Sequence, residues 1–340
     1  MASPSGVAIM TRLRTTPEDE VVLDAVAAHL GELRRADLAA VCRPQPLVAV
    51  PDPDARWRVR RDRLNTRKSR LTARSSARWA NAIIGGNDDQ YRLARDAQYR
   101  HIIGLRAAIA TIEKRLAAAT SDTLTPEERT ARRGQVKGYA TQTERFAKQR
   151  RLQHLRAELA RAEADREAKR VRVTDGTKRL AKTRHHLDAA GLTLAQWRQK
   201  WECARDLIRA NGSGDEPFGN LTITVTPNGQ ISLRLPKPLE HLANAKHGRY
   251  VLSGIATFSY RADEWVARIT GGQSVSYAIS RKPGRSGRYL TASWATQPQT
   301  SGVVIGSLDA DVFASGPVVA VDLNDGHLAL RRLDEHGNPV

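Results

Sequence analysis

The chain has 340 residues, a formal net charge of +19 and a pI near 10.6, which allow two or three domains and favour a polyanionic partner, most often a nucleic acid. Its two cysteines, Cys42 and Cys203, form no Cys-x-x-Cys pair, which argues against a zinc site or a disulfide framework. Acidic lipid is the alternative polyanion, but we find no signal peptide, lipidation motif or membrane-length apolar run, and therefore expect a soluble, cytoplasmic protein with no membrane partner.

The first predicted elements are a short strand and a helix. Residues 7–14 place Val7 and Ile9 on one face of a strand. Thr16 before Pro17 predicts a helix start, because the hydroxyl caps the first turn and proline fits the first helical position. Apolar residues then follow at helical spacing: Leu23, Val26, Leu30 and Leu33.

A dense basic cluster follows a proline-rich loop. Its members are Arg56, Arg58, Arg60, Arg61, Arg63, Arg67, Lys68, Arg70, Arg74 and Arg78. Asp62 is the one acid among them, so the cluster has few carboxylates at the i±4 positions that neutralise a helix face. A solvated basic helix face is one interpretation. Because such a face repels itself, we predict instead that these residues contact nucleic acid.

Two long helices are predicted next. Asn87–Asp89 can cap the first, and its apolar positions repeat at 3-4-3-4 spacing: Ile102, Leu105, Ile109, Ile112 and Leu116. Residues 125–128 give a start signal for the second, which continues to about Arg170 with a weaker apolar seam at Leu155, Leu159 and Ala162. Two seams joined by a short loop predict an antiparallel helical hairpin.

A second basic cluster comprises Lys178, Arg179, Lys182 and Arg184. The adjacent His185 and His186 point about 100° apart on a helix, so they are poor joint metal ligands. We predict that this cluster contacts nucleic acid as well. Trp197 and Trp201 lie four residues apart, a spacing that is more typical of a packed helix face than of a base-stacking platform.

From about residue 211 the pattern changes to the period-two alternation of β-strands, with Gly and Pro turns between them. The clearest hairpin joins residues 221–226 to residues 230–235 around Pro227–Gly229. Five or so short antiparallel strands predict a small barrel, which the strand at residues 7–14 can join from across the helical part.

The last predicted hairpin begins with an apolar run that ends in a carboxylate at Asp322. A turn follows at residues 324–326, and a second strand runs from His327 to Leu333. A carboxylate at the end of a buried strand can bind a divalent metal ion at a sheet edge. Asp322 is therefore the candidate catalytic and metal-binding residue.

In this order of parts, the chain resembles the N-terminal portion of TnpB-family proteins, especially the actinobacterial TnpB-related group. These are transposon-encoded, RNA-guided nucleases related to type V CRISPR effectors. The resemblance is carried by the order of several segments, which are residues 11–13, 16–18, 77–83, 178–180, 197–201, 248–252, 287–291 and 319–322.

The resemblance implies an α+β architecture in which a small antiparallel, wedge-like β-barrel is interrupted by a long basic helical insertion. The first β-hairpin of a truncated RNase H-like (RuvC) nuclease domain follows. The implied divisions are residues 1–15 as the first wedge strand and residues 16–210 as a helical recognition-like lobe with the coiled-coil hairpin. Residues 211–310 would be the rest of the wedge, and residues 311–340 the start of RuvC. The implied partners are a guide RNA and double-stranded DNA, and the implied location is the cytoplasm of a bacterium, in association with the nucleoid.

By the same resemblance, Asp322 would match the first RuvC carboxylate, and Mg²⁺ is the expected cofactor of the complete family domain. Two-metal cleavage needs several carboxylates, which the family takes from later segments. It often has Gly where this chain has Asn324. We therefore expect the chain as given, a fragment or a truncated gene product, to bind no Mg²⁺ and to cut no DNA.

The alternative function is a non-catalytic RNA-binding regulatory protein derived from a transposon. Recovery of structured RNA without localisation to DNA would favour it. The sequence leaves open the guide RNA, the recognised DNA motif, the oligomeric state and the division of the arginines between RNA and DNA.

Overall fold

A computed structural model describes residues 6–44, 53–131, 134–214, 216–295, 318–324 and 327–333, the last two ranges by their backbone alone. Residues 8–294 form one compact unit, and residues 1–7 with 295–340 belong to a second. The described elements are helices and antiparallel sheets, which is consistent with the predicted α+β class.

The described α-helices, in chain order, are α1 Pro17–Cys42, α2 Pro53–Arg74, α3 Ala77–Ala117, α4 Pro126–Ala131, α5 Gln142–Glu167, α6 Lys178–Thr183, α7 Leu194–Arg205 and α8 Ala262–Thr270. The described strands are β1 Gly6–Arg12, β2 Leu207–Ala210, β3 Ile223–Val225, β4 Gln230–Arg234, β5 Arg249–Ile255, β6 Ser276–Arg281, β7 Arg288–Ala295, β8 Val318–Asn324 and β9 His327–Leu333. Among the described residues, no helix combines the length and the apolar character that a membrane span requires.

The strands of the larger unit form two sheets. One has four strands in the order β1-β7-β6-β2, and the other has three in the order β3-β4-β5. The pairs β2–β6, β6–β7, β3–β4 and β4–β5 are antiparallel. As the sequence predicted, β1 pairs with a strand from the later part of the chain, although α1–α7 lie between them in the sequence. Closure of the two sheets into a barrel remains a prediction.

Asn220 is a fully buried residue that connects the two sheets. Its side-chain nitrogen donates to the carbonyl oxygens of Ala210, 3.2 Å away, and Val275, 2.9 Å away. Its side-chain oxygen accepts from the backbone N–H groups of Thr222 and Ile223 at 3.0 Å. Because one amide satisfies four backbone groups, the start of β3 is fixed against the end of β2.

The start of α1 is the predicted one, and it also binds the helix to a sheet. The Thr16 hydroxyl accepts from the Asp19 N–H, and the Asp19 carboxylate accepts from the Thr16 N–H, which completes a capping box. Asp19 is fully buried and also accepts from the Tyr250 hydroxyl at 3.1 Å and from the Ser253 N–H. This carboxylate therefore fixes α1 on β5.

Only Ser75 and Ser76 separate the end of α2 from the start of the long helix α3, which corrects the prediction that Asn87–Asp89 caps it. The cap is Ser76, whose hydroxyl accepts from the Trp79 N–H. Asn87 lies inside the helix and is fully buried. Its amide donates to the carbonyl oxygen of Arg34 at 3.0 Å, so it contributes to helix packing rather than to a helix end.

α3 and α5 form the predicted antiparallel helical hairpin, but the second helix does not start at residues 125–128 as predicted: a separate short helix, α4, lies there, and α5 begins at Gln142 after a cap at Thr141. Their shared core comprises Leu105, Ile109, Leu152 and Leu155, with Ile112, Leu116, Leu159 and Ala162 packed against it. Two ion pairs join the helices, Arg106–Glu163 and Arg156–Glu113. The residue numbers rise along α3 and fall along α5, as antiparallel helices require. Part of the positive charge on this hairpin is therefore neutralised within the hairpin.

Candidate nucleic-acid interface

Helix α2 consists of two segments with different surroundings. In residues 55–66, which we call the outer segment, every side chain is exposed except the half-buried Ala55 and Val59. In residues 67–74, which we call the inner segment, Leu71 is only 2% exposed. The outer segment is thus a helix with almost no buried face.

The outer segment carries half of the predicted basic cluster. Its exposed arginines are Arg56, Arg58, Arg60, Arg61 and Arg63. Within the described residues, no acid forms an ion pair with the last three of these. Two large apolar side chains are also exposed, Trp57 at 58% and Leu64 at 44%. The guanidinium carbon of Arg61 lies 5.1 Å from the centre of the Trp57 ring, a distance that allows a cation–π contact.

Arg67, the first residue of the inner segment, is committed to internal ion pairs. Its Nε and Nη2 donate to the two carboxylate oxygens of Asp37 at 3.0 and 2.7 Å, and its Nη1 donates to Asp88 at 2.8 Å. Burial raises the pKa of Asp37, but hydrogen bonds from Arg67 and Asn87 outweigh burial and hold that pKa below its ordinary value. We therefore correct the assignment of Arg67, which anchors α2 on α1 and α3.

The basic residues that follow Arg67 have internal partners too, with one exception. Arg70 Nη2 lies 3.7 Å from the carboxylate that binds Arg67. Arg74 pairs with Glu32 at 3.3 Å, and Arg78, at the start of α3, pairs with the buried Glu216. Lys68 is exposed and forms no ion pair among the described residues. The side chains of Arg70, Arg74 and Arg78 remain partly exposed, so their solvent-facing sides can still contact a second anion.

The second predicted cluster also lies at the surface. Lys178, Arg179 and Lys182 project from α6, Arg184 follows its end, and all four are exposed. Within the described residues, no acid pairs with any of them. We therefore regard this cluster as a second candidate contact for phosphate.

The tryptophans of α7 are packing residues, as their spacing predicted. Trp197 is buried and stacks on Trp201 with the ring centres 5.4 Å apart. Its indole N–H donates to the carbonyl oxygen of Leu180 at 2.8 Å, which fixes α7 against α6. The Arg184 guanidinium lies 5.4 Å from the Trp197 ring centre. Trp197 thus supports the second cluster and offers no free face to a base.

Sequence reasoning did not find the carboxylates that neutralise the inner segment. A signal for Asp37 was present, because Leu30, Leu33 and Asp37 continue the spacing of the buried face of α1. Asp37 is 0% exposed, and an ionised carboxylate on a buried face requires a cation. The sequence does not say which of ten nearby basic residues supplies that cation.

The most buried cation of the described chain lies elsewhere, in β7. Arg288 is 0% exposed and donates to Asp206 at 2.9 Å and to Glu20 at 3.2 Å. It also pairs with Asp24 of α1. Arg288 belongs to one of the segments that carry the family resemblance. In the structure its role is to join β7 to α1, and it is not accessible to a ligand.

The predicted terminal hairpin is present as β8 and β9, which pair antiparallel with Asp322 opposite Ala329. Strand β8 continues to Asn324, so Asp322 lies two residues before the strand end rather than at it. Binding Mg²⁺ requires several oxygen ligands around the ion. The described side chains contain no group of three or more His, Cys, Asp or Glu residues that could hold a metal. The side chain of Asp322 is outside the described part, and we derive no metal-dependent step.

Comparison with protein-family models, with curated proteins and with solved structures found no match for this chain. The functional argument therefore rests on the residues themselves. Their strongest contrast is between the arginines of the inner segment, which are paired with acids of the same chain, and Arg60, Arg61 and Arg63 of the outer segment, which pair with no acid among the described residues. That contrast identifies the outer segment of α2 as the candidate interface.

Proposed function

We propose that this chain is the RNA-guided DNA-binding part of a TnpB-like, transposon-associated endonuclease. The observation that supports nucleic-acid binding most strongly is the outer segment of α2. It is exposed on nearly all sides and carries five arginines and one aspartate. A helix that buries no apolar face and repels itself electrostatically is stabilised by an anionic partner. The RNA-guided part of the proposal rests on the family resemblance.

In this proposal the outer segment of α2 and the second basic cluster contact phosphate backbones, and base pairing with a guide RNA selects the DNA sequence. Arginine suits the first role because its planar guanidinium stays charged and binds phosphate through two hydrogen bonds. The inner segment holds α2 on α1 and α3 through Arg67, and the outer segment extends from this anchored part of the helix. Release of counterions from the DNA then supplies most of the affinity.

The proposal also assigns the β-structure. We assign the two sheets of the larger unit to a wedge-like barrel and the β8–β9 hairpin to the start of a RuvC-like domain. Asp322 would be the first carboxylate of that domain, and Mg²⁺ its cofactor when the other acids are present. Asn220 supports the barrel assignment, because it joins the edges of the two sheets.

The test begins with the RNA that co-purifies with the chain. Binding of a DNA duplex is measured with RNA whose sequence is complementary or not complementary to the DNA. We expect tighter binding with complementary RNA. DNA binding that does not depend on the RNA sequence would overturn the RNA-guided proposal. RNA binding without any DNA binding would support the regulatory RNA-binding alternative.

A charge variant tests the interface itself. Changing Arg60, Arg61 and Arg63 to Gln should reduce the slope of log affinity against log salt concentration by about 2 to 3, since each phosphate contact contributes about 0.9. The matched control removes the same charge from the surface ion pairs of Arg92, Arg106 and Arg156, which have acidic partners in α3 and α5. Equal losses in both variants would show that net charge alone, and not this helix, drives binding.

A further inference from the structure

The outer segment has an apolar strip along one side. Trp57 and Leu64 are seven residues apart, so they lie about 20° apart around the helix axis. Leu71 continues the same strip into the inner segment, where it is buried. The strip thus changes from a packed surface to an exposed one along a single helix, and at Trp57 the exposed part lies beside the guanidinium of Arg61.

Arginines flank this strip on both sides. At about 100° per residue, Arg60 lies about 60° to one side of Trp57, and Arg61 lies about 40° to the other side. Arg63 lies farther out on the side of Arg60, and Arg58 farther out on the side of Arg61. The helix therefore presents an apolar centre between two cationic flanks.

We propose that the outer segment enters the major groove of a B-form DNA duplex, with Trp57 and Leu64 directed at the groove floor. The flanking arginines then contact the phosphate backbones on the two sides of the groove. This inference rests on the proposed function, and it adds the form of the duplex and the groove that the helix occupies.

The dimensions of helix and groove support this choice. An α-helix with its side chains is about 10–12 Å wide, and the B-DNA major groove is about 12 Å wide. The twelve residues of the outer segment span about 18 Å. Apolar side chains on the groove floor meet the thymine methyl group. The major groove of A-form RNA is too deep and narrow for side chains to read, which favours DNA.

The charge of the segment argues for DNA over a protein partner. A second helix could cover Trp57 and Leu64, but it would also meet five arginines with one aspartate between them. Two phosphate backbones satisfy both flanks at once. The internal ion pairs of Arg67 hold the base of the helix in place before binding, so only the outer segment has to be ordered when it enters the groove.

Chemical footprinting tests the groove. The chain is bound to a mixed-sequence DNA duplex, and dimethyl sulfate is used to methylate guanine N7, which lies in the major groove. We expect protection of N7 over about half a helical turn, consistent with the length of the segment. We also expect distamycin, a minor-groove ligand, not to displace the protein.

The variant Trp57→Ala with Leu64→Ala should lose the N7 protection. Both residues are exposed, so the variant should keep the wild-type circular dichroism spectrum. The control variant, Leu93→Ala with Phe146→Ala, changes two apolar residues elsewhere that are more exposed than Trp57 and Leu64, and it should keep the protection.

Three results would overturn the inference. They are DNA binding without N7 protection, displacement by distamycin, and equal competition by double-stranded RNA. In each of these cases nucleic-acid binding itself would stand. A complete failure to bind any DNA duplex would instead contradict the proposed function together with the inference.

Discussion

The outer and inner segments of α2 have similar sequences but different surroundings. Arg60 and Arg67 lie on the same face of the helix, two turns apart. Arg67 binds a fully buried carboxylate, whereas no described acid pairs with Arg60. A stripe of arginines therefore does not define a binding surface by itself. The acids that the rest of the chain brings to it decide which arginines stabilise the fold and which remain for a partner.

The largest expected effect is on stability and concerns Asp37. Changing Asp37 to Ala leaves the half-buried Arg67 guanidinium without its bidentate partner, and we expect a loss of about 3–5 kcal/mol of unfolding free energy. Urea unfolding measures it. The control is Asp88→Ala, which removes the half-exposed partner of the same arginine and should cost about 1 kcal/mol or less. Equal costs would show that burial of Asp37 does not matter.

The second prediction compares two leucines of the apolar strip. Leu71→Ala should cost about 2–5 kcal/mol, because it leaves a cavity at a buried site. Leu64→Ala, one heptad earlier on the exposed side, should change stability by about 0.5 kcal/mol or less. Urea unfolding of the two variants measures both changes in unfolding free energy. A large cost at Leu64 would mean that the outer segment is packed against the protein.

The third prediction is a pH dependence that belongs to the inner segment. The pKa of Asp37 is held below its ordinary value of 3.8, so its ion pair stabilises the fold above that value and is lost as the pH falls through the lower, folded-state pKa. The stability difference between the wild type and Asp37→Asn should thus stay constant from pH 7 to about 5 and narrow below about pH 4. A difference that does not change with pH would contradict the assignment of the ion pair.

The smallest expected effect on stability comes from the outer segment. Changing Arg60 and Arg63 to Gln should shift the unfolding free energy by about 0.5 kcal/mol or less, since neither residue forms a described ion pair. The double variant should nevertheless lower the salt dependence of DNA binding by about 1.8 in the slope. A marked loss of stability would place these arginines inside the fold, with Arg67.

The sequence predicted the elements whose signals are local. The Thr16 cap and the seams of Leu105 and Leu155 lead directly to α1 and to the α3–α5 hairpin. Asn87 misled the prediction because its side chain suits both a helix cap and a buried hydrogen bond, and only the packing of α1 on α3 distinguishes the two. Local rules do not report such contacts between distant parts of the chain.

The candidate site shows the same limit. The sequence located the basic cluster, but it placed Arg67 beside Arg60 as an equal member. The difference arises from Asp37, thirty positions earlier in the chain, and from the way α1 crosses α2 and α3. Spacing can show that a carboxylate lies on a buried face. It cannot show which cation meets it.

Hydrogen exchange along α2, with and without a DNA duplex, tests the central claim most directly. The free protein should exchange the amides of residues 55–66 quickly and those of residues 67–74 slowly, because only the inner segment is anchored. Added DNA should slow exchange in the outer segment and leave the inner segment unchanged. Slow exchange of both segments in the free protein, or no change in the outer segment at saturating DNA, would contradict the account.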